Sequence, residues 1–184
     1  MRHHARLLLF VPVLLSGYAL AGGSPLDAIA IGRTVEEIRA MAGSQYLEVG
    51  GPESRASQHF ELSGPLAKSI SGSEDRPLYL VFARDREGSA YLLIYAHWRM
   101  SSEQEAYLLP KTQSFPRSKM ESPTRCLRAG EHGLLGLRNS PSTWEREAVL
   151  ESSPGFLASR GIRGGQARPQ YKEVCRNGPQ QESA

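Results

Sequence analysis

Apolar and polar positions alternate most densely between Leu78 and Trp98. Leu78 to Arg84 and Ser89 to Trp98 are rich in aromatic and branched side chains, with Asp85-Arg86-Glu87-Gly88 between them, and this pattern predicts a β-hairpin. With Arg84 opposite Ser89, one face would carry Leu78, Leu80, Phe82, Tyr91, Leu93, Tyr95 and His97, and the other Tyr79, Val81, Leu92, Ile94 and Trp98. Both faces are apolar. Such a ribbon has to be covered on two sides, by a helix on one and by the rest of the chain or a partner on the other.

A helix is predicted upstream, because Thr34-Val35-Glu36-Glu37 has the spacing at which a hydroxyl and a carboxylate cap each other's backbone amides. Val35, Ile38 and Met41 then fall on one helical face, and Gly43 provides the stop. Gln58 to Leu62 reads as an edge strand and the Gly/Ser-rich stretch from Ser63 to Asp75 as a loop. From Ser101 onward three prolines (Pro110, Pro116, Pro123) and scattered bases suggest a solvated linker. Leu134 to Leu137 suits a short strand, and Ser142-Thr143-Trp144-Glu145 repeats the capping spacing before a second helix ending near Ser152. Arg160 to Gln170 reads as a Gly/Arg loop, Tyr171 to Cys175 as a last strand and residues 177–184 as a frayed tail. The expected class is α+β, an antiparallel sheet around a central hairpin at about 78–98 with two short capped helices.

The beginning of the chain changes where such a domain would work. A cationic start (Arg2, His3, His4, Arg6), the apolar run Leu7 to Leu15 and the small-x-small sequence Ala19-Leu20-Ala21 form the pattern of a secretory signal peptide cut after Ala21. The apolar run is shorter than the roughly 20 residues that span a bilayer. The expected division is a leader over 1–21, a domain over 22–176 and a tail over 177–184, with 22–110 and 111–176 as the alternative halves. The expected location is periplasmic or secreted, with no stable membrane insertion.

Charge follows from the same division. Taking Arg2 and Arg6 from 22 bases set against 19 acids leaves a formal charge of +1, so the apparent basicity belongs to the leader. A nearly neutral domain lacks the cationic footprint that nucleic-acid binding requires. Export also bears on Cys126 and Cys175, since an even count in an oxidising compartment favours a disulfide over a metal site.

The segment Ile31-Gly32-Arg33-Thr34-Val35-Glu36-Glu37-Ile38-Arg39-Ala40-Met41-Ala42-Gly43 resembles the helix start of the SmpA/OmlA-like family of small outer-membrane-assembly lipoproteins. There a Gly-x-Thr turn opens a helix that ends in Gly and precedes an antiparallel sheet. The resemblance implies a role in binding and stabilising other envelope proteins, without catalysis. Gly136 to Leu150 looks like a degraded second copy, which makes a tandem of small α+β modules an expectation too.

Motifs for chemistry are missing. His59, His97 and His132 are scattered without zinc-binding spacing, and no metal or other cofactor is expected. There is no Gly-x-Ser-x-Gly elbow, no Cys-x-x-Cys pair and no phosphate-binding loop with its lysine. The hairpin, by contrast, offers Tyr79, Tyr91, Tyr95, His97 and Trp98, side chains of the kind enriched at interface centres. The expected function is non-catalytic binding of another envelope or secreted protein. The alternatives are an inhibitor or immunity protein that neutralises a wall- or lipid-degrading enzyme, and a hydrolase without a recognisable motif.

Overall fold

The computed structural model describes residues 24–43, 47–49, 56–73, 75–115, 124–139, 145–162 and 175. The leader, residues 171–174 of the strand expected over Tyr171 to Cys175 and the tail at 177–184 lie outside the described residues, while Cys175 itself is a bend.

The capping box works as the sequence suggests. Thr34 accepts a hydrogen bond from the Glu37 amide, Glu37 accepts one from the Thr34 amide, and helix α1 runs from Val35 to Ala42. It ends at Gly43, whose φ is 78°. Val35, Ile38 and Ala42 are buried, whereas Met41 is 39% exposed, so the buried stripe turns toward Ala42 rather than through Met41 as the spacing implied.

Among the described residues, eight antiparallel strands form one sheet in the order β1-β2-β3-β4-β8-β7-β6-β5. The first four are β1 (Leu47–Val49), β2 (Ser57–Leu62), β3 (Leu78–Arg84) and β4 (Tyr91–Arg99). The second four are β5 (Gln113–Phe115), β6 (Thr124–Ala129), β7 (Gly133–Asn139) and β8 (Arg146–Ser152). Each set of four is a meander, and the two meanders join where β4 pairs with β8. The predicted hairpin is thus central. β2 is not an edge strand, because β1 pairs outside it.

Two stretches expected to be irregular are helical. Helix α2 (Gly64–Ser71) occupies the Gly/Ser-rich segment, with a proline at its tolerant first turn and Ala67 and Ile70 buried. Helix α3 (Ser102–Leu108) replaces the expected linker after Ser101, whose side chain caps the Gln104 amide. In the opposite sense, the second capped helix does not form. Its residues from Arg146 onward are β8, inserted between β4 and β7, where Ala148, Val149 and Leu150 are buried on alternate faces. Pairing on both sides overrides a local sequence of helix-favouring Glu, Ala and Leu. A second copy of the helical module over Gly136 to Leu150 is therefore replaced by β7 and β8. Helix α4 (Pro154–Ser159) comes later, capped by Ser153.

The β3–β4 register differs from the expected one. Arg84 pairs with Tyr91, not Ser89. The Asp85 carboxylate accepts hydrogen bonds from the Ser89 amide and hydroxyl, both at 2.9 Å, which takes Ser89 out of the ladder and lengthens the turn. Further along, the register shifts between Val81 and Phe82, so that Phe82 faces Leu93 but Val81 faces Tyr95, with Ile94 as the extra residue. The bulge flips the second half of β4. Tyr91 and Leu93 share a face with Leu80, Phe82 and Trp98, while Tyr95 and His97 join Tyr79 and Val81 on the other.

The first of these faces is the main core, where Leu78, Leu80, Phe82, Leu93 and Trp98 pack with Ile29, Ile38 and Ile70 from the helical layer. On β8 and β7 it continues through Ala148, Leu150, Leu135 and Leu137. The second face carries the chemistry described next.

Candidate functional site

The bulge in β4 brings together side chains that a regular hairpin would separate. On the face away from the helices, Tyr79 of β3 lies directly across from His97 of β4, and their rings stack with centroids 5.5 Å apart and planes 21° apart. Tyr79 remains 43% exposed. A ring that size left open on a sheet, yet fixed by a stacked neighbour, loses little freedom when a partner covers it.

Beside the stack, on the next strands of the same face, lies an ion pair. His97 Nε2 is 3.7 Å from Glu147 Oε1 of β8, and the other carboxylate oxygen of Glu147 accepts a 2.9 Å hydrogen bond from Arg138 Nε of β7. Glu147 is buried at 7% exposure, a carboxylate held inside because a guanidinium satisfies it. Burial of the imidazole pushes the His97 pKa below its ordinary value of 6.5. Glu147 opposes that shift, while Arg138 and Arg99 reinforce it. His97 is interior to the sheet, since β3 and β8 flank β4. Arg99 completes the neighbourhood, its guanidinium 3.1 Å from Glu145, which Arg76 also approaches at 3.6 Å.

The five aromatic and histidine candidates from the hairpin divide accordingly. Tyr79 and His97 come together, with Tyr95 buried on the same face one pleat along from His97. Trp98 belongs to the core, fully buried with its indole N–H donating to Gln104 at 3.2 Å. Tyr91 sits on the core face, half-buried, with the Arg84 guanidinium 5.8 Å from its ring centre. Sequence reasoning missed Arg138 and Glu147 altogether. Glu147 had been placed in a helix, and Arg138 meets it only through β7–β8 pairing.

The disulfide is formed. Cys126 of β6 is bonded to Cys175, and the Cys175 amide donates to the Glu151 carboxylate at 3.2 Å, which places Cys175 over the same face, nearer the β6 side. The remaining histidines stay apart. His59 is on β2, where burial lowers its pKa, and His132 lies in the β6–β7 turn with its ring stacked on Phe156 at 4.7 Å. Among the described residues no three His, Cys, Asp or Glu side chains cluster to hold a metal ion. Nor is any helix among them long and apolar enough to cross a membrane. The arrangement at Tyr79 is an exposed, stacked aromatic ring with the Arg99–Glu145 and Arg138–Glu147 ion pairs on the same face.

Comparison with family models, curated proteins and solved structures finds no match for this chain.

Proposed function

We propose that this is an exported, non-catalytic protein that binds another envelope or secreted protein through the sheet face centred on Tyr79 and His97. One observation carries the reading. A large aromatic side chain is left 43% exposed in the middle of the sheet and held by a ring stack on His97, itself next to the buried Glu147 that Arg138 satisfies. Aromatic and arginine side chains in fixed positions are what interface centres are made of. The secretory pattern over 1–21 and the disulfide support a partner outside the cytoplasm. The resemblance of Ile31 to Gly43 to the outer-membrane-assembly module agrees with a binding role.

The test is a photoreactive amino acid at position 79 in the native organism, with position 107 as the control. Tyr107 is the most exposed aromatic residue among the described residues, at 62%, and lies on α3. A discrete adduct from position 79 and not from 107 is the expected result. Tyr79→Ala should then weaken the purified pair by about tenfold or more, the size of a hot-spot truncation. Absence of an adduct at 79, or unchanged affinity in a folded Tyr79→Ala protein, would sink the proposal. The adduct's identity separates an assembly partner from a lytic enzyme that the protein inhibits.

A further inference from the structure

Strands β3, β4 and β8 are buried on both faces where they meet. A strand covered on one side alternates between buried and exposed positions, yet Leu80 to Ala83, Leu92 to Ala96 and Glu147 to Glu151 are buried without interruption. The helices account for one face. Helices α1 to α3 lie over the core face, and α4 stands at the end of the sheet, where the Arg86 amide of the β3–β4 turn donates to the Arg160 carbonyl. On the opposite face Val81, Tyr95 and Val149 are all at 7% exposure or less. Something covers them, while Tyr79 beside them stays open.

Val81, Tyr95 and Val149 begin a row that continues through Gly136 to Cys126, so the row ends at the disulfide. We infer that the occupant of this row is the chain's own segment 163–174, fastened there by Cys126–Cys175. The segment lies outside the described residues, but both of its ends are fixed. Ile162 is buried just past α4, and Cys175 is bonded to Cys126 with its amide on Glu151. A path from the β3–β4 turn up to Val81 and then across the four strand spacings from β3 to β6 is about 36 Å long. The thirteen peptide steps from Ile162 to Cys175 reach about 43–47 Å at full extension, so the length suffices with little slack. Composition agrees, since Tyr171 and Val174 lie in the half next to Cys175, whereas 176–184 has no large apolar side chain. The inference concerns the part of the face beside Tyr79 and does not rest on the binding reading.

Nuclear magnetic resonance on the isotope-labelled, disulfide-bonded protein is the test. Through-space cross-peaks are expected from the Tyr171 ring or the Val174 methyls to the side chains of Val81, Tyr95 and Val149. The Val81 and Val149 methyls should also be shielded from a soluble gadolinium chelate. Cross-peaks from another segment, cross-peaks from a second, differently labelled copy, or methyls open to the chelate would overturn the inference. Reducing the disulfide should remove the cross-peaks and expose both methyls, with Tyr79 unchanged. Cross-peaks that persist in the reduced, folded protein would show that the bond is not the fastening. If the reduced protein unfolds, Tyr171→Ser with Val174→Ser replaces it, since the disulfide then stays intact. Loss of shielding at Val81 and Val149 is expected in that variant, and retained shielding would sink the assignment.

Discussion

His97 and His59 are both kept neutral by burial, and this ties the stability of the fold to acidity in one direction. Each has a folded pKa below 6.5, so the unfolded chain takes up protons first as the pH drops. Stability is therefore full above about pH 6.5 and declines as the pH falls from there toward the folded values, below which the loss is complete. Urea midpoints measured between pH 8 and pH 5 should decrease over that window, and His97→Gln should flatten the part due to His97. A midpoint that rises on acidification would contradict the depressed values. Asp85 acts in the opposite charge sense. Desolvation works to raise its pKa, but hydrogen bonds from Ser89, Ala90 and Gly88 outweigh it and lower the value, so protonation at still lower pH removes support from the β3–β4 turn. Neither the turn's Asp85 hub nor the burial of His97 follows from residue spacing, because each depends on where the neighbouring strands come to lie.

At the scale of elements, local signals were readable where one segment supplies its own partners. The capping box of α1 is self-contained, and Thr34→Ala should cost about 1 kcal/mol, read as a lower melting temperature with the far-UV spectrum retained. The two strands of the hairpin were legible for the same reason. Its bulge was not, because the shift at Val81 serves contacts across the sheet: it puts Leu93 with the core and His97 over Glu147. β8 was hidden more deeply. Arg146 to Ser152 has the composition of a helix, and only the presence of β4 on one side and β7 on the other makes it a strand. The close fit of that neighbourhood appears at Gly133, where an added Cβ would lie 2.5 Å from the Ala129 carbonyl and 3.2 Å from both Ile31 and Leu150. Gly133→Ala should destabilise by about 1–3 kcal/mol, since a backbone oxygen has to move. Denaturant unfolding checks it, and an unchanged midpoint would mean that the β6–β7 turn opens freely.

For the molecule as a whole, the disulfide is the feature that composition foretold best, since an even pair of cysteines behind a secretory-type N-terminal pattern favours pairing. The loop it closes, 49 residues in sequence separation, stabilises by roughly 4 kcal/mol in the chain-entropy picture. Cys126→Ser with Cys175→Ser should lose most of that, as should the reduced wild type, with the unfolding midpoint as the measurement. A double variant as stable as the oxidised protein would show that the bond fastens Cys175 without supporting the sheet. The fold class was legible from the mixture of capped helix and hairpin. The union of two meanders was not, because β4–β8 pairing links residues such as Tyr95 and Glu151 that no local pattern connects.

That union sets the order in which the molecule can be completed. When residues 78–99 have been synthesised, β3 can cover one edge of β4, but the other edge has to wait for a strand more than forty residues further on. During that interval β4 has an open row of amides and carbonyls, the kind of edge on which chains aggregate. A ribosome that stops before Arg146 releases a chain with this edge uncapped. Strand β8 is thus both a structural element and the cover for this edge of the sheet, and a chain truncated before it exposes the kind of surface that chaperones and proteases act on.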